Sequence, residues 1–227
     1  MNKKILVVAA HPDDEVLGCG GTIAKFAKQG AEIHVMFLAD GASSRDGSTL
    51  TLQDELKVRR AAAKKACNVL GVKSVSFDNF PDNQMDSVVL LDIVKVIEST
   101  ISKYKPEMIF THHSGDLNVD HRVVNKAVVT ACRPLANNSV KTVLFYEIPS
   151  STEWQIPSAY PVFTPNWFVD ISVELVCKIE ALQAYRDELR SWPHPRSVKG
   201  VEYLAHWRGA TISVDAAEAF VLGRMLS

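Results

Sequence analysis

The chain has 227 residues, 47% hydrophobic and 22% charged, with a formal net charge of −1. That length carries a substantial core, and the near-neutral balance excludes a disordered chain and gives no reason to expect a nucleic-acid partner. Cys19, Cys67, Cys132 and Cys177 are dispersed without a C-x-x-C pair, which argues against a zinc ribbon or a dense disulfide framework and fits a reducing, cytoplasmic setting. The apolar run "ILVVAA" is too short for a signal-peptide core or a membrane span.

Short β-branched runs alternate with longer segments of helical period, the pattern of a parallel sheet flanked by helices. "KKILVVAA" predicts a first strand, "DEVLGCGGTIAKFAKQG" a helix that stops at Gly30, and "AEIHVMFLAD" a second strand. "LQDELKVRRAAAKKACNVLG" is rich in strong helix formers and ends at Gly71, ahead of a third strand, "SVSFDNF". The helix predicted in "SVVLLDIVKVIESTISKYKP" is closed by Pro106, and then come a fourth strand in "EMIFTHH", a helix in "VDHRVVNKAVVTACRP" and a fifth strand in "KTVLFYEI". Residues 1–150 therefore predict a Rossmann-like core. Beyond it, the proline- and aromatic-rich "PSSTEWQIPSAYPVFTPNW" predicts an ordered surface loop. "FVDISVELVCKIEALQAYRDEL" predicts a short strand and a helix, and "VEYLAHWRGATISVDAAEAFVLGR" one or two closing helices. The expected fold is α/β, a Rossmann-like three-layer sandwich with a mostly parallel sheet plus a C-terminal loop and helices. It forms a single domain over 1–227, in which 151–227 complete the pocket.

Ligands of open parallel sheets bind at the carboxyl ends of the strands. The first strand delivers "HPDDE", the second "ADGASSR", the third "DNFPDN" and the fourth "THHSGDLNVDHR". A catalytic zinc site needs three neutral or anionic nitrogen and oxygen ligands and an open position. His11 and Asp14, three residues apart at a helix start, can point the same way, and His112, His113 or His121 could complete the set. Asp13 or Glu15, beside the metal without binding it, could then accept a proton from water. Taken alone, "DDE" is more often a helix N-terminal cap. The pairing of "HPDDE" with "DLNVDH" at two strand ends favours chemistry.

"AHPDDEVLGCGG" followed by "DxNxDHR" resembles the PIG-L/LmbE-like family of zinc-dependent N-acetylglucosaminyl de-N-acetylases, over residues 4 to about 135, with a looser echo in "HPRS" near residue 194. The resemblance implies that His11, Asp14 and His121 hold Zn²⁺ and that Asp13 is the general base, taking a proton from zinc-bound water that attacks the acetyl carbonyl. It leaves His112 and His113 as supporting residues, His113 being the one expected to face the pocket.

The chain departs from the family where many members carry a histidine that steadies the oxyanion: here stands Asn118, an amide that can donate a hydrogen bond but not a proton. His194, between two prolines in "SWPHPRSVKG", is the expected replacement as general acid or oxyanion donor. Arg196 could hold an anionic substrate group or cap a helix end. Asp120 is expected to orient a catalytic group. Arg45 and Arg59 match positions where the family holds sugar hydroxyls or phosphate, although Ala62 stands where relatives often carry Glu. Gly18, Gly20 and Gly21 do not have dinucleotide-loop spacing and are read as close helix packing.

The function that follows is removal of the N-acetyl group from an N-acetylglucosamine-type amino sugar or its conjugate. Trp154, Tyr160 and Trp167 are candidates for stacking on a sugar. The alternatives are an amidase acting on a thiol-cofactor precursor or other amide conjugate, and a zinc- or sugar-binding module without turnover. The aromatic loop and the apolar "AAEAFVLGRML", read as a helix, could bury against a second subunit in a homo-oligomer.

Overall fold

The computed structural model describes residues 3–41, 51–136, 138–156 and 160–226. Five strands, β1 (Lys4–Ala9), β2 (Glu32–Ala39), β3 (Ser74–Phe80), β4 (Met108–His112) and β5 (Thr142–Tyr146), pair in parallel in the order β3-β2-β1-β4-β5. β1 shows why: Ile5, Val7 and Ala9 enter one hydrophobic cluster and Leu6, Val8 and Ala10 the other, so this strand is buried on both faces. One face is covered by α1 (Asp14–Lys28), α2 (Leu52–Val69) and α5 (Leu175–Leu182), the other by α3 (Leu90–Tyr104) and α4 (Val119–Ala131). This is the expected three-layer sandwich.

The C-terminal quarter differs from its sequence reading. β6 (Trp167–Asp170) and α5 match the predicted short strand and helix, and α6 (Val198–Ala210) is one closing helix. "AEAFVLGRM" is not a second helix but β7 (Ala217–Met225), inserted antiparallel between β5 and β6 to complete a seven-stranded sheet. Its alanines and glutamate favour a helix locally. Cross-strand pairing on both edges and burial of Ala217, Ala219 and Phe220 outweigh that preference. The segment is thus spent within the sheet and is not a free apolar helix for a second subunit.

Two of the three glycines in the first half of α1 permit close packing. A Cβ on Gly18 would come within 2.4 Å of the Tyr146 ring, and one on Gly21 within 2.6 Å of Ile171. α1 breaks at Cys19, whose backbone is non-helical, and the helix restarts beneath Glu218 of β7, which accepts the Gly21 and Thr22 N–H groups at 2.9 and 2.7 Å. Glu218 also pairs with Lys178 at 2.6 Å, and Lys178 donates to Leu17 O at 2.9 Å. These buried charges are fully engaged in holding α1 against the sheet.

Candidate metal and catalytic centre

Helix α1 follows β1 on one face of the sheet and α4 follows β4 on the other, so the crevice between neighbouring β1 and β4 is the switch point where an open α/β sheet binds its ligand. "HPDDE" and "DLNVDH" leave these two strands. His11, Asp14 and His121, all buried, each offer one ligand atom within 4.8 Å of the others. His11 Nδ1 and His121 Nε2 both lie 3.4 Å from Asp14 Oδ2.

Each histidine is held from behind by a carboxylate. Asp120 Oδ2 is 2.9 Å from His11 Nε2, and Asp82 Oδ1 is 3.0 Å from the same nitrogen. Asp116 Oδ1 is 3.0 Å from His121 Nδ1. Asp120 is itself fixed by the Asn83 and Met85 N–H groups, and Asp116 by the Thr152 hydroxyl at 2.6 Å, the Asn118 N–H at 2.8 Å and the Ser151 hydroxyl. Carboxylate, imidazole and a forward-facing nitrogen form the arrangement that sets tautomer and aim in metal sites.

The forward faces lack hydrogen bonds, although His121 Nε2 lies 3.4 Å from Asp14 Oδ2. Among the described residues, Asp14 Oδ1 and His121 Nε2 are buried and make no hydrogen bond, an omission that native interiors rarely tolerate without a ligand. Burial works against charge on His121, yet Asp116 and Asp14 raise its pKa to about 9. Burial likewise opposes ionisation of Asp14, but His121 and His112 hold its carboxyl well below the usual range. A buried carboxylate with two supported imidazoles attracts a cation, and two nitrogens and an oxygen suit a divalent transition metal.

Asp13 stands beside this set. Its backbone takes φ 116, a conformation unusual for a non-glycine residue and tolerated where a site demands it. The N–H is held by Glu15 Oε2 at 3.1 Å and the carbonyl by the first turn of α1. Burial raises the Asp13 pKa to about 6, against the lowering effect of Arg196, whose Nη1 is 3.3 Å from Asp13 Oδ2. Glu15, the other carboxylate considered as a base, turns away from the metal candidates and accepts from the Tyr185 hydroxyl at 2.6 Å. Burial pushes its pKa up to about 8.

The remaining predicted residues fall in different places. His112, not His113, lies against the ligand set: its Nε2 accepts the Ala10 N–H at 2.9 Å and is 3.5 Å from Asp14 Oδ2, and its ring stacks on His121 with centroids 3.9 Å apart. His113 turns the opposite way, with Nε2 3.1 Å from Pro161 O and its ring edge-on to Phe163, as alternation of side chains along an extended segment requires. Asn118 caps α4, accepting from the Asp120 and His121 N–H groups, and donates to Asn83 Oδ1 at 2.9 Å. Asp120 meets His11 rather than the Asp13 carboxylate.

His194 Nδ1 accepts the Arg196 N–H at 3.0 Å, which leaves Nε2 as the protonated nitrogen of the neutral ring, and Trp154 packs edge-on at 5.5 Å. Arg59 donates to Gly41 O and lies 3.5 Å from Glu188. Arg45 lies outside the described residues. Sequence reasoning assigned no role to Asp82 or Asp116. An aspartate ending the third strand and one opening "DLNVDH" were the available signals.

The profile of the family described as PIG-L, GlcNAc-PI de-N-acetylase, matches residues 6–132, more than half of the chain, from within β1 to just past the end of α4. The chain belongs to this family. A PIG-L relative in sequence is the diacetylchitobiose deacetylase of Thermococcus kodakarensis, 28% identical over 201 residues that cover 82% of this chain and 70% of the relative. In structure, the N,N'-diacetylchitobiose deacetylase of Pyrococcus horikoshii superposes with a TM-score of 0.80 at 21% identity, over 98% of this chain and 84% of that one. The 4-carboxy-2-hydroxymuconate hydratase GalB of Pseudomonas putida shares the fold with a TM-score of 0.78 at 22% identity, over 99% and 98% of the two chains. The same fold thus carries more than one chemistry, and for this PIG-L member the site and the family match decide between them.

Proposed function

We propose that this hydrolytic N-deacetylase binds Zn²⁺ through His11, Asp14 and His121 and removes the acetyl group from a 2-acetamido sugar or its conjugate, with Asp13 as the general base. The observation that carries this reading is that Asp14 Oδ1 and His121 Nε2, buried near the ionisable Asp13 carboxylate, make no hydrogen bond among the described residues. The substrate class is supported by what the family and the sequence relative share, an N-acetylglucosamine unit with different attachments.

Bound there, zinc supplies Lewis acidity that polarises the amide carbonyl and acidifies water. The protein's own groups do the rest. Asp116, Asp120 and Asp82 hold the two imidazoles so that one nitrogen of each faces Asp14. Asp13 accepts a proton from water as it attacks the acetyl carbon, a transfer for which a pKa near the working pH is suited. The leaving amine takes the proton back from Asp13, since a neutral His194 ring can donate a hydrogen bond through Nε2–H but cannot give that proton up. Asn118, engaged at both ends of its amide, serves as the helix cap that aims His121.

The test is release of free amine by zinc-loaded protein from a panel of N-acetylglucosamine glycosides, N,N'-diacetylchitobiose and N-acetylglucosaminyl conjugates. Amine and acetate in equal amounts from at least one member support the reading. Stoichiometric zinc with no acetate from any of them defeats the substrate assignment, and hydration of an unsaturated acid in its place would align the chain with the hydratase that shares its fold.

A further inference from the structure

Arg196 lies far along the chain from the "HPDDE" segment, yet it is the partner that the Asp13 carboxylate has among the described residues. Arg196 is held in three ways, two of them through its guanidinium. Nε donates to Pro149 O at 3.3 Å, Nη1 faces Asp13 Oδ2 at 3.3 Å, and the backbone N–H is fixed by the His194 ring. The next residue, Ser197, caps α6 by accepting the Gly200 N–H at 3.0 Å, which ties the Arg196 backbone to the start of a helix. A planar fork anchored in this way presents a fixed direction, which a lysine on a flexible stem would not.

Asp13 has corresponding needs. Its backbone is locked at φ 116, but the carboxylate can still rotate about its terminal bond. A base that turns by a fraction of a turn no longer meets the proton it must take. Arg196 occupies Oδ2, and Oδ1 accepts no hydrogen bond from the described residues, so it is the oxygen left to face water.

We infer that Arg196 is a positioning residue for the Asp13 carboxylate, reaching across from the α6 loop to aim the base rather than to bind an anionic group of the substrate. The inference rests on Asp13 being the base, as set out above. It gives the C-terminal elaboration a direct part in the reaction: the loop 191–197 closes the site by delivering a cation to the base.

The experiment compares zinc-loaded wild type with Arg196→Met, Arg196→Lys, Arg196→Gly and Asp13→Asn, on whichever acetamido sugar the wild type cleaves. Arg196→Met is expected to lower kcat by about 10²-fold while KM stays within about twofold, the scale set by misplacing a reacting group. Zinc content should be unchanged. Arg196→Lys should recover only part of the loss, and guanidinium ion added to Arg196→Gly should restore turnover in a saturable way. A rise in KM with kcat retained would overturn the inference in favour of substrate binding. Loss of zinc or of thermal stability without guanidinium rescue would overturn it in favour of a structural role. Turnover by Asp13→Asn close to wild type would remove the base assignment itself and the inference with it, and is told apart from the other two failures by that variant alone.

Discussion

Two buried charged clusters meet α1, one at Asp14 and one at Gly21 and Thr22, and they treat their polar atoms in opposite ways. Between α1 and β7, Glu218 accepts from Lys178, Gly21 and Thr22, and Lys178 also donates to Leu17. At the ends of β1 and β4, Asp14 Oδ1 and His121 Nε2 are buried as deeply and make no hydrogen bond among the described residues, although His121 Nε2 lies 3.4 Å from Asp14 Oδ2. Both clusters cost desolvation and both are offset by opposite charges, but only in the first are the charged atoms all hydrogen-bonded within the chain. The difference separates charge that builds the protein from charge that waits for a ligand.

The comparison can be broken most severely at the metal candidates. Asp14→Ala or His121→Ala should abolish stoichiometric zinc binding, read by elemental analysis after dialysis, and with it amine release. Either variant that keeps zinc at wild-type occupancy would remove that residue from the ligand set. Asp13→Asn should lower kcat by about 10²- to 10⁴-fold, the span of general base contributions, while zinc remains bound. At the other cluster, Glu218→Ala should lower unfolding free energy in urea by about 3–5 kcal/mol, because it leaves Lys178 buried without its counter-charge. Such a variant that still folds should bind zinc as the wild type does. Asp116→Asn sharpens the contrast from the supporting side: zinc affinity should fall by about 10- to 100-fold as the carboxylate behind His121 is neutralised, measured by competition with a chelating dye.

The strands that make the crevice were readable because each is a β-branched run with a sharp polar exit, and α1 to α4 because their periodicity and their Gly or Pro terminators agree. β7 was not, since "AEAFVLGRM" is helix-favouring when read locally and becomes a strand only where β5 and β6 flank it. In the site, "HPDDE" and "VDH" carried the ligand candidates in their spacing. Of the carboxylates behind them, Asp120 was named as an orienting residue, but Asp82 and Asp116 did not announce themselves: Asp82 meets His11 only because β3 and β1 end at the same edge of the sheet, with β2 between them. Arg196 could be noted in "HPRS" as a charge near a histidine, but its contact with Asp13 spans the whole fold. The order of His112 and His113 turned on which of two adjacent side chains faces the crevice, a matter of strand register that no motif states.

The most direct measurement is zinc titration into chelator-stripped protein with amine release followed at each addition, beside the same titration of Asp13→Asn. The account predicts activity that rises with zinc and levels at one equivalent in the wild type, and one equivalent bound without turnover in the variant. Activity that persists in the stripped protein, or an Asp13→Asn variant that turns over as the zinc fills, would contradict it.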